Sequence, residues 1–250
     1  MYILQVEHLN FSYDGETQVL KDINIDLKEG ELVSILGASG GGKTTLFHAI
    51  AGLHRPDSGR ILLKGEDITG QSGRISYMLQ KDNLLPYRTI EDNAAIPLII
   101  RGMKKREARK KVEPYFERFG LEGTQKKYPA QLSGGMRQRA ALLRTYMFSG
   151  EAALLDEPFS ALDTLTKADM HRWYLEVMNE IKLSTFFITH DIDEAILLSS
   201  RIYLLGSGRI CDEIIIDEPW PRHEDFILTD KFLTYKRMLS ARLKEISEKQ

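Results

Sequence analysis

The stretch LVSILGASGGGKTTLFHAIAGL, residues 32–53, changes character in its middle. Residues 32–36 are apolar apart from Ser34, the pattern of a strand buried on both faces. Residues 46–53 read as a short apolar helix. Between them, Gly37 to Thr44 follow the pattern glycine, four residues, then Gly-Lys-Ser/Thr. Glycine lets the backbone wrap tightly around a phosphate with several N–H groups pointing inward. Gly37, Ser39, Gly40, Gly41, Gly42, Lys43, Thr44 and Thr45 are therefore candidate phosphate-binding residues. Lys43 can reach the β- and γ-phosphates, and the Thr44 hydroxyl can ligate Mg2+. The strand before and the helix after supply the context that such a loop needs.

A second stretch completes the chemistry. AALLDEP, residues 152–158, reads as another buried strand, and it ends in an acidic pair. Asp156 can hold Mg2+ through a water, and Glu157 can polarise the water that attacks a γ-phosphate. Alone, such a pair is explained as well by helix capping. Behind a phosphate loop it indicates a nucleoside triphosphatase.

The remaining chain alternates strands with helices, which predicts an α/β fold around a mainly parallel sheet. ILQVEHL and INIDL alternate near the N-terminus, and RILLKGEDI and RISYMLQ each read as one strand. Residues 88–147 turn helical and include the basic run RGMKKREARKK, read as a solvated helix face. TLTKADMHRWYLEVMNEI predicts an amphipathic helix with Leu165, Trp173, Val177 and Ile181 on its buried face. STFFITH is a third buried strand, and Asp191 and Glu194 form a candidate capping box for the helix after it. RIYLLGSGRICDEIIID reads as a hairpin across Gly-Ser-Gly. These elements predict one domain over 1–250. Its RecA-like P-loop core and antiparallel β-subdomain occupy 1–87 and 148–223. A helical subdomain is inserted at 88–147, and a helical tail occupies 224–250.

Composition narrows the classes. A net charge of −2 gives no basic field, so nothing argues for nucleic acid. The one cysteine, Cys211, excludes an internal disulfide and fits a reducing cytosol. No apolar run reaches the roughly 18 residues that span a bilayer, so any work at a membrane is done from the side.

LSGGMRQRAAL, residues 132–142, places two glycines before a strongly helical run, where unpaired N–H groups favour an anion. LSGGMRQR resembles the signature sequence of ABC ATPases. The other landmarks of that family follow in order: Tyr13 in FSYDG, the phosphate loop, Gln80 in YMLQKDNLLP, LLDEPFSALD, and His190 in FITHD. The resemblance covers almost the whole chain. It implies a head-to-tail dimer with two ATP molecules sandwiched between protomers. Each nucleotide would meet one chain's phosphate loop and the partner's signature, here Ser133, Gly134 and Gly135. Tyr13 would stack on adenine, Gln80 would sense Mg2+ and the attacking water, and Glu157 would be the general base. Asp163 would cross the dimer, and His190 would contact the γ-phosphate. Leu84, Leu85 and Tyr87 would line a groove for a permease subunit.

With one nucleotide domain and no membrane span, the resemblance narrows to the stand-alone ATPase of a bacterial-type importer. Such a subunit is peripheral on the cytoplasmic face of the membrane and is served indirectly by a solute-binding protein. The segments LLPYRTIEDN, EPFSALDTLTK and EPWPR resemble the nitrate, sulfonate and taurine branch, whose relatives serve thiamine-precursor pyrimidines. Two places depart from the branch. Trp220 precedes Pro221-Arg222 where arginine is expected, and Gly150-Glu151 stand where proline is common. A soluble ABC ATPase without a transporter and a nucleotide-binding regulator are the alternatives.

Overall fold

The computed structural model describes residues 1–149, 151–220, 222 and 224–248. Gly150 and Pro221 lie outside the described residues.

β1 (Tyr2–Ser12) and β2 (Gln18–Lys28) pair antiparallel. Their alternation puts Leu4, Val6, Leu9 and Phe11 of β1 inside, beside Leu20, Ile23, Ile25 and Leu27 of β2. β3 (Leu32–Leu36) is buried throughout and leads into α1 (Lys43–Ile50). RILLKGEDI is not one strand. It splits into β4 (Ser58–Leu63) and β5 (Glu66–Asp67), with Leu63 opposite Glu66. The two linking residues, Lys64 and Gly65, have φ of 52° and 81°, the double positive φ of a tight hairpin turn. β2-β1-β4-β5 thus form one antiparallel sheet.

The second sheet adds β6 (Ser76–Met78), β7 (Ala152–Asp156), β8 (Ser184–Thr189), β9 (Arg201–Gly206) and β10 (Arg209–Ile215). Its order is β10-β9-β3-β8-β7-β6, parallel except for the hairpin strand β10. β3, β7, β8 and β9 are buried at every position, which explains why apolar residues predominate on both of their faces.

Between β6 and β7 run α2 (Ile90–Ile100), α3 (Lys105–Val112), α4 (Tyr115–Arg118) and α5 (Gly134–Ser149). Phe116, Phe119 and Leu143 share a core there with Trp173 of α6 (Thr164–Ile181). Part of the basic run is structural rather than a solvated face. Lys105 and Arg109 pair with Asp92, and Arg109 and Lys126 pair with Glu91.

Two expected side-chain placements differ. The buried residues of α6 are Met170, Trp173, Tyr174, Leu175, Val177 and Met178, whereas Leu165 is 81% exposed in the first turn. Asp191 does cap α7 (Ile192–Leu198), accepting from the N–H groups of Asp193 and Glu194. The reciprocal half of the capping box is missing. Glu194 is buried, accepts from the Thr189 hydroxyl at 2.5 Å and pairs with Lys167 at 2.6 Å. The C-terminus of α7 is closed by buried Arg222, which donates to the carbonyls of Ile196, Leu197 and Ser199. Burial pulls the Arg222 pKa down to about 10, and a cation suits this end of a helix. α8 (Asp230–Glu248) runs along the tail, with Phe232 and Leu239 packed near β9 and α7.

Candidate functional site

β3 delivers the glycine loop at its C-terminal end, where α/β sheets bind ligands. A Cβ on Gly37 would stand 2.2 Å from the Leu205 carbonyl oxygen of β9, so only a hydrogen fits. Gly42, at φ 98°, caps α1 in a left-handed conformation that a side chain rarely adopts. The first turn of α1 holds no acidic side chain, which leaves its N–H groups and dipole to an anion. Lys43 is buried there, and its Nζ donates to the carbonyls of Gly37 at 2.8 Å and Ala38 at 2.9 Å. Burial depresses the Lys43 pKa, and the carboxylates of Glu157 and Asp156 oppose that shift.

β7 brings the acidic pair beside this loop. Asp156 Oδ2 accepts from the Thr44 hydroxyl at 3.2 Å and from the Tyr77 hydroxyl at 3.2 Å. Burial raises the Asp156 pKa, and the two hydroxyls partly reverse this. Glu157 has φ 47°, a left-handed conformation that costs a non-glycine residue about 1–3 kcal/mol. Its N–H donates to the Ile188 carbonyl of β8 at 3.0 Å, which fixes the turn. The side chain is thereby aimed between Gln80 and His190. Gln80 Nε2 donates to Oε2 at 3.1 Å, and His190 Nδ1 lies 3.1 Å from Oε1.

A cavity of about 630 Å³ joins these groups. Tyr13, Ser39, Gly40, Gly42, Lys43, Thr44, Thr45, Gln80, Glu157 and His190 line it. That volume suits a nucleotide-sized ligand. Tyr13 is 62% exposed at its edge, held edge-on by Phe11 at 4.9 Å and His54 at 5.5 Å. Its hydroxyl lies 3.0 Å from Thr45 Oγ1.

The signature residues stand apart from this cavity. Gly134 opens α5 and lines a second hollow of about 780 Å³, which shares only Gln80, Glu157 and His190 with the first. Ser133 and Asp163 line neither. Ser133 Oγ accepts from the Met136 N–H, and Asp163 Oδ1 caps α6 through the Thr166 N–H at 3.1 Å. Gly135 is buried against α6. Of the three residues expected in a permease groove, Leu84 is core, Leu85 is half-buried and Tyr87 is 73% exposed. Spacing did not single out Tyr77, nor the pair Asp82–Arg137 at 3.1 Å, which ties the loop after Gln80 to α5. The period-2 alternation of β6 was the available signal for Tyr77.

Residues 20–160 match the family described as ABC transporter. The formylaminopyrimidine import ATP-binding protein of Halalkalibacterium halodurans is 44% identical over 202 residues, covering 81% of this chain and 79% of that protein. The structure of cbiO1 from Clostridium perfringens, part of an ABC transporter complex, matches with a TM-score of 0.79 at 27% identity, over 99% of this chain and 98% of that one. A dimeric ATP-binding cassette in a post-hydrolysis state, bound to ADP and Pi, matches with a TM-score of 0.72 at 29% identity, over 86% of this chain and 100% of that one. This chain belongs to the ABC transporter family, as an ATP-binding and ATP-hydrolysing subunit.

Proposed function

We propose that this chain powers import of a small solute, hydrolysing ATP as a head-to-tail homodimer docked on a membrane permease. The observation that carries the reading is the single cavity in which Lys43, Thr44, Gln80, Glu157 and His190 converge on the N-terminus of α1. In this reading the α1 N–H groups and Lys43 hold the β- and γ-phosphates, and Tyr13 carries adenine. Glu157 accepts the proton of the attacking water, and His190 and Gln80 set the angle of that carboxylate. The partner's Ser133, Gly134 and Gly135 close on the γ-phosphate, and Asp163 lies at the dimer seam.

Mg2+ fits the donors present, because the Thr44 hydroxyl offers a hard oxygen, the Asp156 carboxylate hydrogen-bonded to it would reach the metal through a water, and Gln80 adds an amide oxygen nearby. When bound, it neutralises charge on the β- and γ-phosphates. The chain acts as one domain, with 1–87 and 148–223 as core and β-subdomain, 88–147 as helical subdomain and 224–250 as tail.

No helix among the described residues is long and apolar enough to cross a membrane. Leu79 and Tyr87, 41% and 73% exposed on either side of the Gln80 loop, suit contact with a permease on the cytoplasmic face. The relative named for formylaminopyrimidine import supports a pyrimidine as solute, beside the sulfonates and taurine that other relatives are named for, with nitrate the remaining alternative of the resembled branch. ATP hydrolysis by the purified chain, lost in Lys43→Ala, tests the enzyme. Co-purification with a polytopic membrane protein tests the transporter, and its absence favours a soluble ABC ATPase.

A further inference from the structure

We propose that Tyr77 is a positioning residue that turns the Asp156 carboxylate toward the metal–nucleotide complex. The inference rests on the reading of Asp156 as the residue that holds the metal through water.

Tyr77 lies on the edge strand β6, paired in parallel with β7 at Leu154. Its neighbours Ser76 and Met78 are buried on the opposite face, so strand alternation sends Tyr77 toward α1. There its ring meets Phe47 edge-on at 6.0 Å and His48 at 5.8 Å. His48 is braced in turn by His54 at 5.1 Å, and His54 by Phe11 and Tyr13. A row of rings thus runs from Tyr13 to Asp156 and leaves the Tyr77 hydroxyl little freedom.

The geometry at the carboxylate is specific. Tyr77 and Thr44 both donate to Oδ2, each at 3.2 Å. Two donors occupy the two lone pairs of that oxygen. Among the described residues no hydrogen bond reaches Oδ1. Asp156 can rotate about its last torsion, and that torsion is intrinsically broad. Tyr77 and Thr44 remove this freedom and present Oδ1 as the open acceptor for metal-bound water. Outer groups that orient a metal-binding carboxylate commonly matter about tenfold or more to metal affinity.

The test is equilibrium binding of a fluorescent ATP analogue, titrated with Mg2+, for wild type, Tyr77→Phe and Asp156→Asn. A parallel titration in EDTA reports metal-independent nucleotide binding. Tyr77→Phe keeps the ring against Phe47 and His48, and removes only the donor. The Mg2+ concentration at half-saturation is expected to rise about tenfold in Tyr77→Phe, with EDTA binding unchanged. Asp156→Asn should raise it at least as much. Wild-type metal dependence in Tyr77→Phe, with Asp156→Asn impaired, overturns the positioning role alone. An equal loss with and without metal shows a packing role and overturns it too. A wild-type Mg2+ requirement in Asp156→Asn removes the metal reading beneath the proposal.

Discussion

His190 Nδ1 and Glu157 Oε1 lie 3.1 Å apart. The histidine follows β8 and the carboxylate follows β7, so two adjacent parallel strands end on one contact. Gln80, just past β6, holds the other oxygen of the same carboxylate. Three neighbouring strand ends therefore fix the direction of Glu157, and their contacts hold its strained φ of 47° in place. The general-base role proposed for Glu157 needs that kind of definition, because proton transfer requires hydrogen-bond reach to one water.

Glu157→Gln is expected to abolish turnover by about 100-fold or more while ATP still binds, because an amide cannot take the proton. ATP then bridges two protomers without being consumed, so the variant should run as an ATP-dependent dimer in size-exclusion chromatography. A variant that stays monomeric at saturating ATP, or that hydrolyses at the wild-type rate, is incompatible with the assignment.

Tyr13 offers an exposed ring at the mouth of the cavity. Tyr13→Ala is expected to weaken ATP binding by about 1–2 kcal/mol, the loss of one aromatic stack. Tyr13→Trp and Tyr13→Phe should be nearly neutral, since both keep an aromatic face for the base and lose only the part-buried Tyr13–Thr45 hydrogen bond within the chain. Calorimetric titration separates these cases. If Phe is as damaging as Ala, the hydroxyl carries the effect and stacking is the wrong account.

The parts of the fold legible in the sequence are those with a local cause. Strands buried on both faces announce themselves as LVSIL, AALLD and STFFIT, and the glycine loop is a contiguous pattern. The Lys64-Gly65 turn is not distinct in the sequence, because lysine is a poor turn former and an isolated glycine in a strand pattern marks a bulge as readily as a turn; the positive φ of both residues reveals it. Leu165 was misplaced because helical periodicity cannot tell where a helix overhangs its core. Loop residues converge from distant positions. Gln80 meets Glu157, 77 residues away, and no spacing rule encodes that contact. Tyr77 escaped for the same reason, its partner Asp156 lying 79 residues on.

Asp92 sits in the first turn of α2 and accepts both arms of Arg109, at 2.8 and 2.9 Å, with Lys105 at 2.9 Å. These partners, Arg109 first, lower its pKa from 3.8 to about 2. A depressed carboxylate pKa stabilises the fold above the unfolded value and loses that contribution as pH falls through the folded one. Asp92→Asn should therefore cost about 2 kcal/mol at neutral pH. The gap to wild type should narrow as pH falls from 3.8 toward about 2. Urea denaturation across that range reads it. A gap independent of pH would show that the charge plays no part.

Action of the signature in trans can be separated from action within one chain. Gly135 is the wrong residue to change, because a Cβ there meets Thr166 Cγ2 at 3.3 Å and Met170 Sδ at 3.5 Å of its own α6. Gly134 is the better site. A Cβ there makes only an ordinary 3.5 Å contact with Leu162, and aspartate suits the first turn of α5. Gly134→Asp should fold and bind ATP through its own intact phosphate loop. Dimer closure should fail, because the new carboxylate would face the partner's γ-phosphate in a partly desolvated seam. Mixing Gly134→Asp with Lys43→Ala then gives a mixed dimer in which one site carries both lesions. The other site pairs an intact loop with an intact signature. ATPase activity of the mixture above that of either variant alone is the expected result. Loss of ATP binding by isolated Gly134→Asp would instead place the signature in its own chain's nucleotide site, across the Gln80, Glu157 and His190 side chains that the two hollows share.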